Sequence, residues 1–337
     1  MRNIYDLTIK ELEDYFISIN EKKFRAVQVY EALYKRRIKS FDDMTNISKE
    51  VREKLKQDFS FYKIKMLIKQ QGKNVNKYLF ELEDGNKIES VLMFHDYGTS
   101  ICVSSQVGCN MTCAFCESGR LKKVRNLLAY EIVQQILQIE EDINKRITHV
   151  VLMGIGEPFD NYDNVLRFVK IINCGKGIDI GSRHITISTC GVIPGIKKFM
   201  KEEGQVNLAI SLHAPNNTIR SRIMPINKAY PLNELMETIK EYINKTNRRV
   251  TFEYIMLDNV NDSEENAKEL AILLKGINCY VNLIPYNETE NIEFKRTKEW
   301  KIMKFYDILK KNKINVTIRK EFGGSVDAAC GQLRANN

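Results

Sequence analysis

The stretch QVGCNMTCAFCESG, residues 106–119, places Cys109, Cys113 and Cys116 at C-x3-C-x2-C spacing, with Phe115 just before the last cysteine. Thiolates are the soft, anionic ligands that iron–sulfur clusters require, and a short loop lets three sulfurs converge on one face of a cubane. Three such ligands hold three irons and leave the fourth iron without a protein ligand. The sequence therefore predicts one [4Fe-4S] cluster per chain, with an open corner.

A zinc site is the main alternative for these cysteines, since C-x3-C pairs are compatible with zinc knuckles. Zinc would need a fourth ligand nearby, and the next Cys or His after Cys116 is His149. Electron-transfer ferredoxins usually supply four cysteines. A local set of three therefore favours a cluster whose open iron is chelated by S-adenosylmethionine, as in radical enzymes.

The composition fits a well-packed globular protein with one sizeable domain and a small appendage, because 43% of its 337 residues are hydrophobic. The chain has no run of about 18 apolar residues, and its N-terminus, MRNIYDLTIKELEDY, carries charges. We therefore expect a cytoplasmic protein with no membrane partner. In that reducing compartment its eight cysteines are metal ligands, catalysts or buried apolar groups rather than disulfides.

Residues 1–70 are expected to form a small helical domain with a basic surface. Thr8 precedes a helical pattern, and a second pattern places Phe24, Val27, Tyr30 and Leu33 or Tyr34 on one apolar face. Basic side chains dominate between residues 21 and 40: Lys22, Lys23, Arg25, Lys35, Arg36, Arg37 and Lys39. A solvated helix face is the simple explanation. Together with the net charge of +9, the cluster makes this domain the candidate for RNA docking.

Residues 71–97 are expected to form a β-hairpin. The segments KYLFELE and KIESVLMF flank Asp84, Gly85 and Asn86, which form a strong turn signal. The hairpin places Glu89 on the strand that leads into the main domain.

Residues 98–337 alternate apolar strands with amphipathic helices, which predicts an α/β fold built on an incomplete (β/α)6 barrel. The expected strands are 100–104, 149–153, 184–188, 207–211, 249–255, 280–284 and 315–319. The expected helices include 128–143, 162–172, 232–244, 263–275 and 298–311. In such a barrel, functional groups lie at the carboxyl ends of the strands.

Polar residues follow several of these strands and could bind a cofactor. Gly154–Ile155–Gly156–Glu157–Pro158 follows HVVLM, and its glycines allow close backbone approach while its carboxylate suits an ammonium group. Ser188, Ser211, His213 and Asn287 also end strands and could reach a sugar or a carboxylate. Helix capping would explain each of them equally well.

Two further cysteines stand out by position. Cys102 lies seven residues before the first cysteine of the loop, and Cys330 lies near the end of the chain in SVDAACGQL. Taken alone, each would be a buried apolar thiol. Cys174, Cys190 and Cys279 are interpreted as packing residues.

From about Phe24 to Leu333 the chain resembles the radical SAM adenine-C2 methyltransferases of the RlmN type and their Cfr-type relatives, which methylate C8 of the same adenine. The motifs that carry the resemblance occur in order along the chain: SFDDMTNISK, CVSSQVGCNMTCAFC, GIGEP, HITISTCG, VNLAISLHAPNN, RIMPINKAYPL, TFEYIMLDNVND, VNLIPYN and DAACGQL.

The resemblance implies a radical mechanism, which suits the substrate because C2 of adenine is electron-poor and does not attack a methyl cation donor. One S-adenosylmethionine would methylate Cys330, and a second would be cleaved reductively at the cluster. The resulting radical would take a hydrogen from the Cys330 methyl group, whose carbon would then add to adenine. Cys102 would release the product by forming a transient disulfide with Cys330, while Glu89 removes the ring proton. An exposed strand carboxylate is the alternative for Glu89.

The resemblance also implies ligands and partners. The implied contacts to S-adenosylmethionine are Gly156, Glu157, Ser188, Ser211, Leu212, His213 and Asn287. The implied substrates are an adenine at the peptidyl transferase centre of 23S rRNA and adenine 37 of tRNA. Reduction requires an electron donor such as flavodoxin or ferredoxin.

Two segments depart from the family pattern, and other activities stay open. Ser325 stands where an acidic residue is usual, and ESGRLKKVRNL replaces a glycine-rich segment. These differences leave open C8 methylation with antibiotic resistance. A glycyl-radical activase or a sulfur-inserting enzyme would share the cluster without needing Cys102 and Cys330. An iron–sulfur electron carrier or a zinc-stabilised RNA-binding module would not cleave S-adenosylmethionine.

Overall fold

The structure, a computed structural model, describes residues 1–202, 204–289, 291–319 and 331–333. The strands in these ranges are β1 (Arg2–Asn3), β2 (Phe59–Ser60), β3 (Lys65–Gly72), β4 (Val75–Glu81), β5 (Lys87–His95), β6 (Gly98–Cys102), β7 (Gln106–Val107), β8 (Arg125–Asn126), β9 (His149–Leu152), β10 (Ile185–Thr189), β11 (Asn207–Ser211), β12 (Val250–Met256), β13 (Cys279–Pro285) and β14 (Val316–Ile318). The helices are α1 (Ile9–Ser18), α2 (Phe24–Tyr34), α3 (Lys49–Asp58), α4 (Ala129–Ile143), α5 (Tyr162–Ile172), α6 (Ile193–Phe199), α7 (Asn217–Ile223), α8 (Leu232–Thr246), α9 (Glu264–Leu273) and α10 (Glu299–Lys311).

One large sheet organises the molecule. Among the described residues its strand order is β14-β13-β12-β11-β10-β9-β6-β5-β4-β3. Neighbours from β6 to β14 pair in parallel, and a helix lies between each consecutive pair along the chain. Because β14 and β3 are the two ends of the strand order, the sheet does not close. This arrangement confirms the predicted incomplete (β/α)6 barrel.

The helices pack on the sheet through apolar faces spaced at helical period. In α5 the buried side chains include Val165, Phe168, Val169 and Ile172, which recur three or four residues apart. The parallel strands are largely buried, as expected for a sheet covered by helices. No helix in the described ranges is both long and apolar enough to cross a membrane.

The N-terminal helices pack onto the outside of the barrel. Thr8 caps α1 in a capping box with Glu11, as its position predicted. Glu11 also accepts from Arg167 of α5 at 2.5 Å, and Arg37 forms an ion pair with Glu140 of α4. The predicted apolar face of α2 is wrong at Phe24, which is 49% exposed and lies under the Arg25 guanidinium.

The predicted hairpin is present as β4 and β5, which pair antiparallel from Glu81 with Lys87 onward. Gly85 adopts φ +80° in the turn, a conformation that glycine accepts without strain. The neighbouring β3 corrects the expectation that residues 1–70 are mostly helical, because it begins at Lys65. As the edge of the sheet, β3 exposes much of its KMLIKQQG sequence and lacks an apolar alternation.

Candidate active site

The cysteine loop is held between two short strands. Gln106 pairs with Asn126, and Val107 with Arg125, so β7 and β8 close the base of the loop. Within it the Cys109 amide donates to the Leu121 carbonyl at 2.9 Å, and the Cys116 amide donates to the Cys113 carbonyl at 3.1 Å. The loop is therefore a folded unit that fixes the directions of its thiols.

All three thiols line one cavity at the carboxyl ends of the parallel strands. No three His, Cys, Asp or Glu side chains of the described ranges are grouped to bind a single metal ion. A cubane instead places each thiolate on a different iron, so its ligands lie farther apart than those of one ion. Burial raises the pKa of Cys109 to about 12, so metal binding there must release a proton. Three thiols that line one cavity are the donor set that a cluster takes.

The GIGEP loop forms the next wall of this cavity. Gly156 adopts φ +106°, and a Cβ there would lie 2.6 Å from the Gln106 Cβ. Gln106 is fully buried and accepts from the Glu157 amide at 2.9 Å. The loop therefore packs its backbone directly against β7, at the entrance to the cysteine loop.

Glu157 is a buried carboxylate in the cavity wall. Its Oε1 accepts from the Phe159 amide at 3.0 Å, and its Oε2 accepts from the Cys190 amide at 2.8 Å. Burial raises its pKa, while hydrogen bonds from these two amides and from the side chains of Cys190 and Thr189 lower it. Glu157 is thus an oriented, buried carboxylate that faces the cavity, and a carboxylate of this kind suits an ammonium group.

Ser188, Ser211 and His213 line the same cavity. His213 is buried with φ 57°, and its Nδ1 accepts from the Ile255 amide at 3.0 Å. Its ring lies edge-to-face against Phe115 of the cysteine loop, with centroids 4.9 Å apart. Two of the predicted cofactor residues do not line the cavity: Leu212 is fully buried in the core, and Asn287 is half-buried beyond β13.

Cys102 and Glu89 lie on one face of the sheet, near the end of the chain. Cys102 pairs with Val91, and Glu89 is two residues before Val91 on β5. Glu89 is 4% exposed rather than an exposed strand carboxylate, and Lys77 Nζ lies 3.3 Å from its Oε1. Cys102 packs in an apolar cluster that includes Leu333.

The segment after Cys330 is anchored beside the cysteine loop. The Glu117 amide donates to the Gly331 carbonyl at 2.7 Å, and Ser118 Oγ donates to the Leu333 carbonyl at 2.6 Å. Gly331 lines the cavity. Cys330 itself, like Ser325, lies outside the described residues.

Two family models match the chain. The ribosomal RNA large subunit methyltransferase N-terminal domain matches residues 2–60, and the radical SAM superfamily matches residues 103–271. The chain is 54% identical to probable dual-specificity RNA methyltransferases RlmN from Spiroplasma citri (100% of this chain, 98% of the relative) and Enterococcus faecalis (99% and 96%). It is also similar to the crystal structure of a radical SAM methyltransferase from Sphaerobacter thermophilus, at 40% identity and TM-score 0.94 over 100% of both chains.

This chain belongs to the RlmN family of radical SAM RNA methyltransferases. Membership of the radical SAM superfamily implies a [4Fe-4S] cluster and use of S-adenosylmethionine. The superfamily match contains the three loop cysteines, Glu157, Ser188, Ser211 and His213. Glu89, Cys102 and Cys330 lie outside both matched ranges, so their roles depend on the full-length similarity to RlmN relatives.

Sequence reasoning missed the polar residues that hold this RlmN site together from behind. Arg220 is fully buried and donates to the carbonyls of Leu212 (3.2 Å) and Cys190 (2.6 Å) and to Asn227 Oδ1 (2.9 Å). Asn261 donates to the carbonyls of His213 and Ile255. Nothing in their local sequence distinguishes them from surface residues, because the partners that place them at the site, Cys190 for Arg220 and His213 for Asn261, are distant in sequence.

Cys190 is also placed differently from a simple packing residue. It is buried, as expected, but it lines the cavity together with the three loop cysteines. Its amide orients Glu157, and its carbonyl accepts from Arg220. The residue therefore contributes to the site through its backbone, and its thiol also hydrogen-bonds to Glu157.

Proposed function

We propose that this protein methylates C2 of an adenine at the peptidyl transferase centre of 23S rRNA, and adenine 37 of tRNA, through a methyl group carried on Cys330. Relatives described as probable dual-specificity RNA methyltransferases, matched over almost their whole length, support action on two kinds of RNA, and the match to a ribosomal RNA large subunit methyltransferase domain supports rRNA as one of them. The chain retains every cysteine that this chemistry uses.

The observation that carries the proposal is the return of the chain end to Cys102. Leu333 packs in the same apolar cluster as Cys102, and Gly331 lines the cavity formed by the loop cysteines. A carrier thiol and a resolving thiol must meet to form the transient disulfide. The anchoring of residues 331–333 supports such a meeting, because Cys330 is joined to that segment by one peptide bond.

The cofactor residues have complementary tasks in this scheme. Cys109, Cys113 and Cys116 would hold the cluster, and Glu157 would accept from the ammonium of S-adenosylmethionine. The bound cluster and cofactor supply the methyl group and the radical chemistry. Ser188, Ser211 and His213 would orient the cofactor from the strand ends, with Gly156 allowing its close approach. Contacts from Leu212 and Asn287 stay predictions.

Glu89 is proposed as the acceptor of the adenine ring proton. Its buried carboxylate lies on the face of the sheet that also carries Cys102, beside the Lys77 ammonium. This position supports a role near the resolving thiol. Ser104 Oγ donates to the Glu89 carbonyl at 2.6 Å and fixes its backbone.

We further propose that three segments of the chain have different functions. Residues 1–70 would dock RNA through their basic surface, residues 71–97 would link that domain to the barrel, and residues 98–337 would carry the chemistry. An electron donor such as flavodoxin or ferredoxin would reduce the cluster.

Mass spectrometry of nucleosides tests the proposal directly. The reconstituted protein is incubated anaerobically with reductant, S-adenosylmethionine and unmodified ribosomal RNA or tRNA, with Cys330→Ala as the matched control. We expect 2-methyladenosine from both RNAs with the wild type and none with Cys330→Ala. Production of 8-methyladenosine would mean that the protein methylates C8 of adenine, as Cfr-type enzymes do. Deoxyadenosine without either product would refute the RNA substrate.

A further inference from the structure

The cavity wall includes a buried carboxylate that has no role in the proposed reaction. Glu253 lies on β12, is 4% exposed and lines the same cavity as the loop cysteines. Its Oε1 accepts from Asn282 Nδ2 of β13 at 2.9 Å. Its Oε2 is buried and has no hydrogen-bond partner among the described residues.

Among the described residues, an ion-pair contact approaches this oxygen but no hydrogen-bond donor does. Arg319, just after β14, has its Nη1 4.0 Å from Oε2, beyond hydrogen-bond distance. Burial raises the pKa of Glu253, while Arg319 and Asn282 oppose the rise. A buried acceptor without a donor costs free energy, so such groups in native proteins usually have a partner. The open side of Oε2 therefore points to a ligand that donates a hydrogen bond.

The strand register indicates which ligand can reach it. Ser211 on β11 is the direct partner of Glu253 in the sheet, and neighbouring strands lie about 4.8 Å apart. Ser211 and Glu253 both line the cavity, as do the glycines of the GIGEP loop. A group bound at Ser211 is thus within reach of the Glu253 carboxylate.

The amino-acid end of S-adenosylmethionine does not suit this position. Its carboxylate would be repelled by Glu253, and its ammonium is assigned to Glu157 at a different strand end. Its ribose carries two adjacent hydroxyls, and carboxylates accept hydrogen bonds from ribose hydroxyls in other nucleotide-binding folds. A diol can donate to Glu253 while its second hydroxyl contacts Ser211.

We propose that Glu253 is a cofactor-binding residue that accepts a hydrogen bond from a ribose hydroxyl of S-adenosylmethionine, with Asn282 orienting its carboxylate. This assignment rests on the proposed placement of the cofactor at Ser211. It adds a residue from the middle of the sheet to a site otherwise built from strand ends and loops.

Binding of two ligands to the reconstituted protein tests the assignment without turnover. S-adenosylhomocysteine and its 2′,3′-dideoxyribose analogue are titrated calorimetrically into wild type and Glu253→Gln. Because a hydrogen bond to a charged acceptor is lost, Glu253→Gln should weaken S-adenosylhomocysteine binding about 10- to 100-fold. The dideoxy analogue should bind both proteins with affinities within about twofold, since it lacks the donors.

The remaining outcomes separate the two proposals. Equal weakening of both ligands by Glu253→Gln would mean that Glu253 only supports the cavity wall, which overturns the assignment. Failure of the wild type to bind either ligand would overturn the cofactor placement and this assignment with it. If Glu253→Gln does not fold, Glu253→Asp, which withdraws the carboxylate by one methylene, should give the same ligand-dependent pattern.

Discussion

His213 shows how position in the fold sets the chemistry of a single residue. It adopts a left-handed backbone conformation two residues after the end of β11, and its Nδ1 accepts a hydrogen bond from the Ile255 amide. Burial, reinforced by the charge of Arg220, lowers its pKa to about 3. The imidazole is therefore neutral near neutral pH and presents its Nε2 as a donor.

The depressed pKa of His213 predicts a specific pH dependence of stability. The unfolded chain binds a proton at His213 below pH 6.5, whereas the folded chain does not until about pH 3. The free energy of unfolding should therefore fall as the pH drops through this window, by about 1.4 kcal/mol per unit. Asparagine tolerates φ 57° and does not titrate, so His213→Asn should remove this pH-dependent part of the free energy of unfolding. Between pH 7 and pH 5, urea unfolding should show the wild type losing about 2 kcal/mol more than the variant. Equal losses of unfolding free energy in the wild type and the variant would mean that the pKa of His213 is not lowered by folding.

Removing the Cys102 thiol tests its proposed role as the resolving thiol. With Cys102→Ala we expect a covalent protein–RNA adduct, because nothing can attack the Cys330 sulfur to release the product. A denaturing gel of labelled RNA after anaerobic reaction detects it. Cys279→Ala is the matched control, since Cys279 is similarly buried but lies at the start of β13. Product release by Cys102→Ala at the control's rate would exclude the role.

At the scale of elements, the GIGEP loop depends on the absence of a side chain at Gly156. A Cβ there would meet Gln106 at 2.6 Å, and φ +106° is strained for other residues. Gly156→Ala should therefore cost about 2–4 kcal/mol of stability and weaken S-adenosylhomocysteine binding. Gly181→Ala is the control, because a Cβ at that position would meet no atom within 4 Å and its φ is −60°. We expect it to change stability by less than about 1 kcal/mol. Unfolding in urea compares the two, and equal stabilities would contradict the close packing.

Elements buried on both faces were the most predictable from the sequence. The expected strand 207–211 matches β11, and the expected helix 162–172 matches α5, because continuous apolar runs and helical periodicity are strong local signals. The edge strand β3 and the short helix α6 were not predicted. Much of β3 is exposed, and α6 contains Pro194 and Gly195, which are typical helix breakers although a proline is tolerated in the first turn.

The same distinction applies to the site. The loop cysteines and Gly156–Glu157 are contiguous motifs, so the sequence predicted that they would meet. Arg220 and Glu253 acquire their environment from strand register and from loops distant in sequence. No local pattern could indicate that one would be a buried cation and the other a carboxylate with an open oxygen.

For the whole molecule, the attachment of the N-terminal helices divides the basic cluster into two groups. Arg37 is committed to Glu140 of the barrel, with both side chains largely buried. Lys35 and Arg36 are exposed, and contact Glu31 and Asn46 at 3.1 and 3.0 Å. Exposed pairs of this kind contribute little to stability and can exchange for phosphate contacts. Replacing Arg37 would therefore confuse loss of docking with loss of fold.

RNA docking is best tested with Lys35, Arg36 and Lys39 changed together to Ala, leaving Arg37 in place. Each lost phosphate contact should reduce the slope of log K against log salt concentration by about 0.7–0.9. We expect weaker binding of ribosomal RNA and a slope shallower by about 2, measured by filter binding at several salt concentrations. The charge-matched control changes the exposed Lys310, Lys311 and Lys313 at the end of α10. Both triple variants remove three positive charges, so a general effect of net charge would alter them equally. If RNA docks on the N-terminal domain, the variant at Lys35, Arg36 and Lys39 should bind RNA more weakly, and with a shallower salt slope, than the control variant at the end of α10.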